Sequence, residues 1–178
     1  MKISILIVFL IISGSIAADV FPGLQPGMEI GGFLPAGYEP SGAVWHNRLQ
    51  KLFLVNDNGM VSKMDSDGSN VINWNVSGDL EGICIVDKTS DFVYIGVENP
   101  DNISEFNIET GTVTRSFDLT PWMTGPSNQG LEALTFVPDS TNAEGGLFFA
   151  GLQSNGTIYV FELPITTSST DTSVTFVT

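Results

Sequence analysis

The 178-residue chain carries 20 acidic residues against 6 basic ones, a formal net charge of −14. Charge of that sign repels nucleic acid and anionic membrane surfaces, and favours cations, or anionic ligands only where metal ions bridge them. A single cysteine, Cys84, excludes an intrachain disulfide, and with His46 as the only histidine the chain lacks the ligands of a zinc centre or of a cysteine–histidine catalytic pair. Cys84, within the apolar run Ile83-Cys84-Ile85, reads as a buried, inert thiol.

Residues 1–18 have the three parts of a secretory signal peptide. Met1-Lys2 gives a short basic start, Ile3–Ile12 an apolar stretch too short to span a bilayer comfortably, and Ser15-Ile16-Ala17-Ala18 a small-residue cleavage site. The expected product is secreted and extracellular, with no integral membrane segment after signal removal. Three sequons, at Asn75, Asn102 and Asn155, are candidate glycosylation sites if the secretory route is eukaryotic.

From residue 40 onward short runs of Val, Ile, Phe and Tyr alternate with clusters of Asn, Asp, Gly, Ser and Pro, the punctuation of an all-β fold. The runs fall into three similar units. The first predicts strands over Gly42–His46, Lys51–Asp57, Met60–Ser66 and Val71–Val76, with tight turns at Asn58-Gly59 and Asp67-Gly68. The second predicts Gly82–Asp87, Phe92–Glu98, Ile103–Ile108 and Val113–Leu119. The third predicts Ala133–Pro138, Gly146–Gln153, Thr157–Leu163 and Ser173–Thr178, with Thr166–Thr172 as a loop. Met28–Leu34 reads as one further strand completing a neighbouring blade. Units of about 40 to 50 residues with four strands each are the blades of a β-propeller. The expected organisation is therefore a signal peptide over 1–18 and a β-propeller domain over 19–178, with blades at about 40–76, 80–119 and 130–178.

Three blades leave two open faces, since propellers usually have four to eight. Either a longer product supplies the missing blades or the chain self-associates. The strand-like run Ser173–Thr178 at the end favours the longer product.

Each unit places a polar side chain just before its first strand and another just after its second. These pairs are Glu39 with Asp57, Glu81 with Glu98, and Glu132 with Gln153. In a blade the first strand leaves one end of the molecule and the second returns to it, so all these groups share an end. Innermost strands line the axis, and Glu81 and Glu132 are expected to converge there with Asp57, Glu98 and Gln153 behind them. Pro40 separates Glu39 from Ser41-Gly42, so the direct counterpart of Glu81 in the first unit is Ser41. Converging carboxylates need a cation, protons or basic partners, and oxygen-only ligands in irregular geometry point to calcium. Asp65-Ser66-Asp67-Gly68 reads as a hairpin turn, and Trp45 and Trp74 as blade packing. Trp122, in a loop beside Pro121 and Met123, is the position to watch for a carbohydrate ligand.

The segments Glu39-Pro-Ser-Gly, Asp79-Leu-Glu-Gly-Ile and Asn128-Gln-Gly-Leu-Glu-Ala-Leu resemble those that open successive blades in the SdiA-regulated family and in the related phytase-like, or esterase-like, secreted propellers. Leu147–Gln153 followed by Ile158–Leu163 is similar as well, and the resemblance covers about residues 36–164. It implies a six-bladed propeller with calcium near the axis, held at Glu81 and Glu132. Ala133, where those families have glycine, departs from the pattern. The functional expectation is a secreted module binding a divalent cation on an acidic axial face, acting in ligand or surface binding. The alternative is a calcium-dependent phosphoric ester hydrolase acting on a phosphorylated substrate; a domain with no metal is the third reading.

Overall fold

The structure, a computed structural model, describes residue 27 and residues 29–178. The signal segment and Met28 lie outside the described residues. The strands are β1 (Pro40–His46), β2 (Lys51–Asn56), β3 (Met60–Met64), β4 (Ile72–Asn75), β5 (Asp79–Cys84), β6 (Phe92–Glu98), β7 (Asn102–Asn107), β8 (Thr112–Asp118), β9 (Leu131–Pro138), β10 (Gly146–Leu152), β11 (Thr157–Glu162) and β12 (Thr175–Phe176). They form three four-stranded sheets in the orders β1-β2-β3-β4, β5-β6-β7-β8 and β9-β10-β11-β12. Every pairing is antiparallel between strands consecutive in sequence. These are three propeller blades. The Asn58-Gly59 and Asp67-Gly68 turns form with Gly59 at φ 75° and Gly68 at φ 85°, left-handed values that glycine adopts without steric cost.

Two apolar layers hold the blades together. Phe53, Val55 and Val61 of the first blade pack with Leu80, Ile83, Val93, Ile95 and Phe106 of the second. Tyr94, Ile103 and Phe117 on the other face of the second blade pack with Leu131, Phe148 and Phe161 of the third. The alternation of each strand sends one set of side chains to each layer, which is why the middle blade is apolar on both faces.

Between neighbouring blades the backbones of the innermost strands nearly touch. A β-carbon placed on Gly42 would lie 3.1 Å from the amide nitrogen of Ile83, and one on Gly82 would lie 2.9 Å from both the nitrogen and the β-carbon of Leu134. Glycine at these positions lets each innermost strand sit directly against the next. Ala133 follows Glu132 as Gly82 follows Glu81, and its bulge forms all the same.

The segment Met28–Leu34 does not form the expected strand in its described part. Gly31–Phe33 is a 3-10 turn and Leu34 is extended without a strand partner. This segment caps the first blade: Ile30 and Phe33 close on Gly68, and Tyr38 lies beside Ser62, its phenol pushed above its ordinary pKa by burial. The last strand is also shorter than expected. The loop before it is pinned by two buried groups: Glu144 accepts the backbone N–H of Thr166 at 2.6 Å and of Thr167 at 3.2 Å, while Arg115 donates to the carbonyls of Pro164, Ser168 and Asp171 at 2.9, 2.9 and 3.1 Å. Arg115 also pairs in two-pronged fashion with Glu105, whose second oxygen accepts the Tyr94 hydroxyl at 2.9 Å. Burial pushes Glu105 up, but Arg115, Thr114 and Tyr94 outweigh it and hold the carboxyl below its usual value.

Two stability predictions follow from this packing. Gly82→Ala should lose about 1–3 kcal/mol by overpacking against Leu134, read as a lowered urea midpoint. Arg115→Ala leaves Glu105 charged, buried and unpaired, and should cost about 3–5 kcal/mol. It should also expose 164–174 to limited proteolysis before the blades themselves are cut.

Candidate metal centre

The first strand of each blade begins two or three residues earlier than the hydrophobic pattern suggests, and this places the site. In β1–β2 the register runs from Pro40↔Asn56 to Gly42↔Val55, skipping Ser41. In β5–β6 it runs from Leu80↔Val97 to Gly82↔Gly96, skipping Glu81. In β9–β10 it runs from Leu131↔Leu152 to Ala133↔Gly151, skipping Glu132. Ser41, Glu81 and Glu132 thus occupy one and the same β-bulge in three blades. A bulge takes its residue out of the pleat and re-aims the side chain, here at the end of the molecule where β2, β6 and β10 finish.

At that end Asp57, Asp79 and Glu81 each offer an oxygen within 4.8 Å of the others. Asp57 accepts a hydrogen bond from the Ser41 hydroxyl, so the bulge residue of the first blade orients a carboxylate where the second blade supplies one itself. Oδ1 of Asp79 is buried and has no donor. Burial pushes Glu81 up to about 7, and the charges of Glu132, Asp79 and Asp57 push the same way. Glu98 is also raised, by burial first, with the Gly130 N–H opposing and Asp79 and Glu132 adding to it. Asp79 against Glu81 and Glu98 is a cluster short of positive charge, which a shared proton or a bound cation would supply.

Of the residues singled out in the sequence, Asp57 and Glu81 meet in the tight group. Glu132 faces Glu81 closely enough to raise it. Glu98 is 2% exposed, and its carboxylate accepts the Gly130 N–H and the Asn99 amide at 3.1 Å. Asp101 likewise accepts the Leu131 N–H at 2.8 Å. These two carboxylates anchor the start of β9. Gln153 stands outside the group, sharing a cleft of about 330 Å³ with Glu132. Asp79 was not among the expected ligands. Its signal was present in the sequence two residues before Glu81: the bulge at Glu81 leaves Asp79 paired with Glu98 across the strands, on the same end.

The described basic groups are all elsewhere. Among the described residues, Arg48, Lys51, Lys63, Lys88 and Arg115 sit at or point toward the opposite end of the blades. Arg48 pairs with Asp91, Lys51 with Asp65 and Arg115 with Glu105. His46 and Cys84 belong to that far end too. His46 is fully buried against Phe53 and approaches the Ser90 carbonyl at 3.1 Å; Cys84 is buried, and burial pushes its thiol up to about 12. Oxygen is therefore the only ligand type at the acidic end, a donor set suited to a hard cation. Trp122, the position to watch for a carbohydrate ligand, packs on Phe161 and stacks on Phe176 with ring centroids 5.7 and 6.1 Å apart.

The family description "Phytase-like: Esterase-like activity of phytase" matches residues 42–174, and the chain belongs to this phytase-like family. No curated protein matches the chain by sequence. Its fold is similar to those in three solved structures. These are the hydrazine synthase of Kuenenia stuttgartiensis (TM-score 0.57, 14% identity, 84% of this chain and 38% of that one), the glutaminyl cyclase of Myxococcus xanthus (0.52, 15%, 79% and 57%) and a chain of a mitotic checkpoint complex (0.53, 14%, 79% and 38%). The chain thus spans between 38% and 57% of the length of these neighbours, and the likeness is one of fold. Among the described residues no helix is long and apolar enough to cross a membrane.

The raised pKa of Glu81 makes a signed prediction. Its folded value of about 7 lies above the ordinary 4.5, so the folded state holds the proton more tightly than the unfolded one. The stability this contributes is fully present below 4.5 and is lost as pH rises through about 7. Metal-free protein should therefore lose urea resistance between about pH 5 and pH 8, and Glu81→Gln should flatten that slope.

Proposed function

We propose that the chain is a propeller module that binds a divalent cation, calcium by its donor chemistry, at the acidic end of its blades, and acts there in ligand or surface binding outside the cell. Asp57, Asp79 and Glu81 would hold the ion, with Glu132 facing Glu81, Glu98 behind Asp79, and Gln153 at the rim. The observation that carries this reading is the three carboxylates within 4.8 Å of one another at an end with no basic residue among those described. A cation at that point supplies the charge the cluster lacks and a partner for the orphaned Asp79 oxygen. Calcium tolerates the irregular coordination that bulged strands from two blades provide. Secretion rests on the signal-like residues 1–18.

Membership of the phytase-like family supports a second reading, hydrolysis of a phosphoric ester. In that case the bound cation would hold the phosphate and lower the pKa of an attacking water. With no Arg or Lys at the acidic end among the described residues, the substrate would depend on the metal alone for its countercharge.

Calorimetric titration of the full chain with calcium tests the first reading. Saturable binding is expected. Asp79→Asn and Glu81→Gln should each weaken it by about tenfold or more, a scale at which even outer-shell partners matter. Gln153→Ala should change it least. Unchanged affinity in both carboxylate variants contradicts the assignment. Phosphate release from phytate or an aryl phosphate that requires calcium and disappears in Glu81→Gln would select the hydrolase.

A further inference from the structure

The space between the second and third blades holds a cavity of about 460 Å³ at the end away from the carboxylate cluster. It lies between two described blades and beside a described strap, residues 165–169, so neither outer face of the row of blades takes part in it. Register sets its floor. Cys84, Tyr94, Glu105 and Arg115 stand in one line across the second blade, as Val44, Phe53, Lys63 and Ile72 do across the first. A phenol and a buried ion pair thus stand where the first blade has Phe53, Lys63 and Ile72. Burying such a pair brings little stability over apolar packing, and here it holds the strap. Arg115 directs one nitrogen at the carbonyls of Pro164, Ser168 and Asp171 and the rest of its fork at Glu105. Floor and strap together enclose the cavity.

The lining selects a class of ligand. Val86, Phe92 and Ile165 form an apolar wall continuous with the core. Hydroxyl groups complete it, and their roles are already divided. Thr114 donates its proton to Glu105 at 2.7 Å and so presents oxygen lone pairs. The Ser168 oxygen accepts the N–H groups of Thr170 and Asp171 at 3.2 and 3.0 Å and keeps its own proton to donate. Ser169 adds a third hydroxyl from an exposed position. Glu105 and Arg115 cancel each other's charge, and the remaining carboxylate of the lining, Asp87, repels anions. A ligand here therefore gains from an apolar face and from groups that both donate and accept, and gains nothing from negative charge.

We propose that this cavity is a carbohydrate site, taking one neutral sugar ring with its C–H face against Phe92 and its hydroxyls toward Thr114, Ser168 and Ser169. Its build is that of small-molecule sites in general, clefts of about 300–1,000 Å³ with apolar walls and a few placed polar groups. The carbohydrate ligand expected at Trp122 has its seat here instead, since that indole is covered by Phe161 and Phe176. Ile165, Ser168 and Ser169 belong to the strap, so an occupied cavity holds the strap in place. The carboxylate cluster lies at the other end of the blades, and binding is independent of calcium.

Saturation-transfer NMR of the full chain with the methyl glycosides of glucose, galactose and mannose, in the presence of a calcium chelator, is the test. At least one glycoside should take up saturation, and the same sugar should slow proteolysis of the strap. Ser169→Phe, at an exposed position, puts a ring into the cavity and should abolish the transfer with an unchanged circular dichroism spectrum. Thr114→Val, also at an exposed position, removes one hydroxyl from the lining and should weaken it. Three results would overturn the proposal: transfer to none of the three glycosides, binding that survives both substitutions, or a sugar phosphate bound as well as its neutral parent.

Discussion

The arrangement turns on the β-bulge repeated at the start of each blade. One extra residue in the innermost strand breaks the pleat and frees a side chain that would otherwise alternate into a neighbouring layer. In the second and third blades that side chain is Glu81 and Glu132; in the first it is Ser41, which holds Asp57 instead. The bulges work only because the inner strands stand so close together, and that closeness depends on Gly42 and Gly82. Backbone packing at the axis therefore sets how near the carboxylates come. The burial of Phe53, Phe106, Phe148 and Phe161 on either side of the middle blade offsets the repulsion that results.

Charge is also sorted along the blades. Among the described residues, Arg48, Lys51 and Arg115 pair with Asp91, Asp65 and Glu105 away from the bulged end. A cluster in that setting has protonation and cation binding as its two ways to reach neutrality. Glu81 shows the first by its raised pKa. The same carboxylates are also parts of the scaffold: Glu98 and Asp101 take the amides that begin β9. Residues that anchor a blade and residues that face a ligand thus lie side by side.

The blades were legible in the sequence because period-two runs and Asn-Gly or Asp-Gly turns are local signals. The starts of β1, β5 and β9 were not, because a bulge interrupts the alternation and makes a strand residue look like the loop before it. For the same reason the expected strand starts only at Gly82, whereas Asp79 already sits in β5 opposite Glu98. The strand expected over Met28–Leu34 is not formed in its described part, where Ile30 and Phe33 pack against Gly68 instead. Arg115 reaching from β8 to the carbonyls of 164–171 joins residues some fifty apart, a contact that no local pattern announces.

The most direct measurement is a carboxyl-carbon NMR titration of Glu81 with and without saturating calcium. The account predicts that metal-free Glu81 titrates near 7, and that calcium moves this midpoint well below the ordinary carboxylate value because the ion competes with the proton for the same oxygens. A Glu81 that titrates like an exposed glutamate, or one whose midpoint calcium leaves untouched, would contradict it.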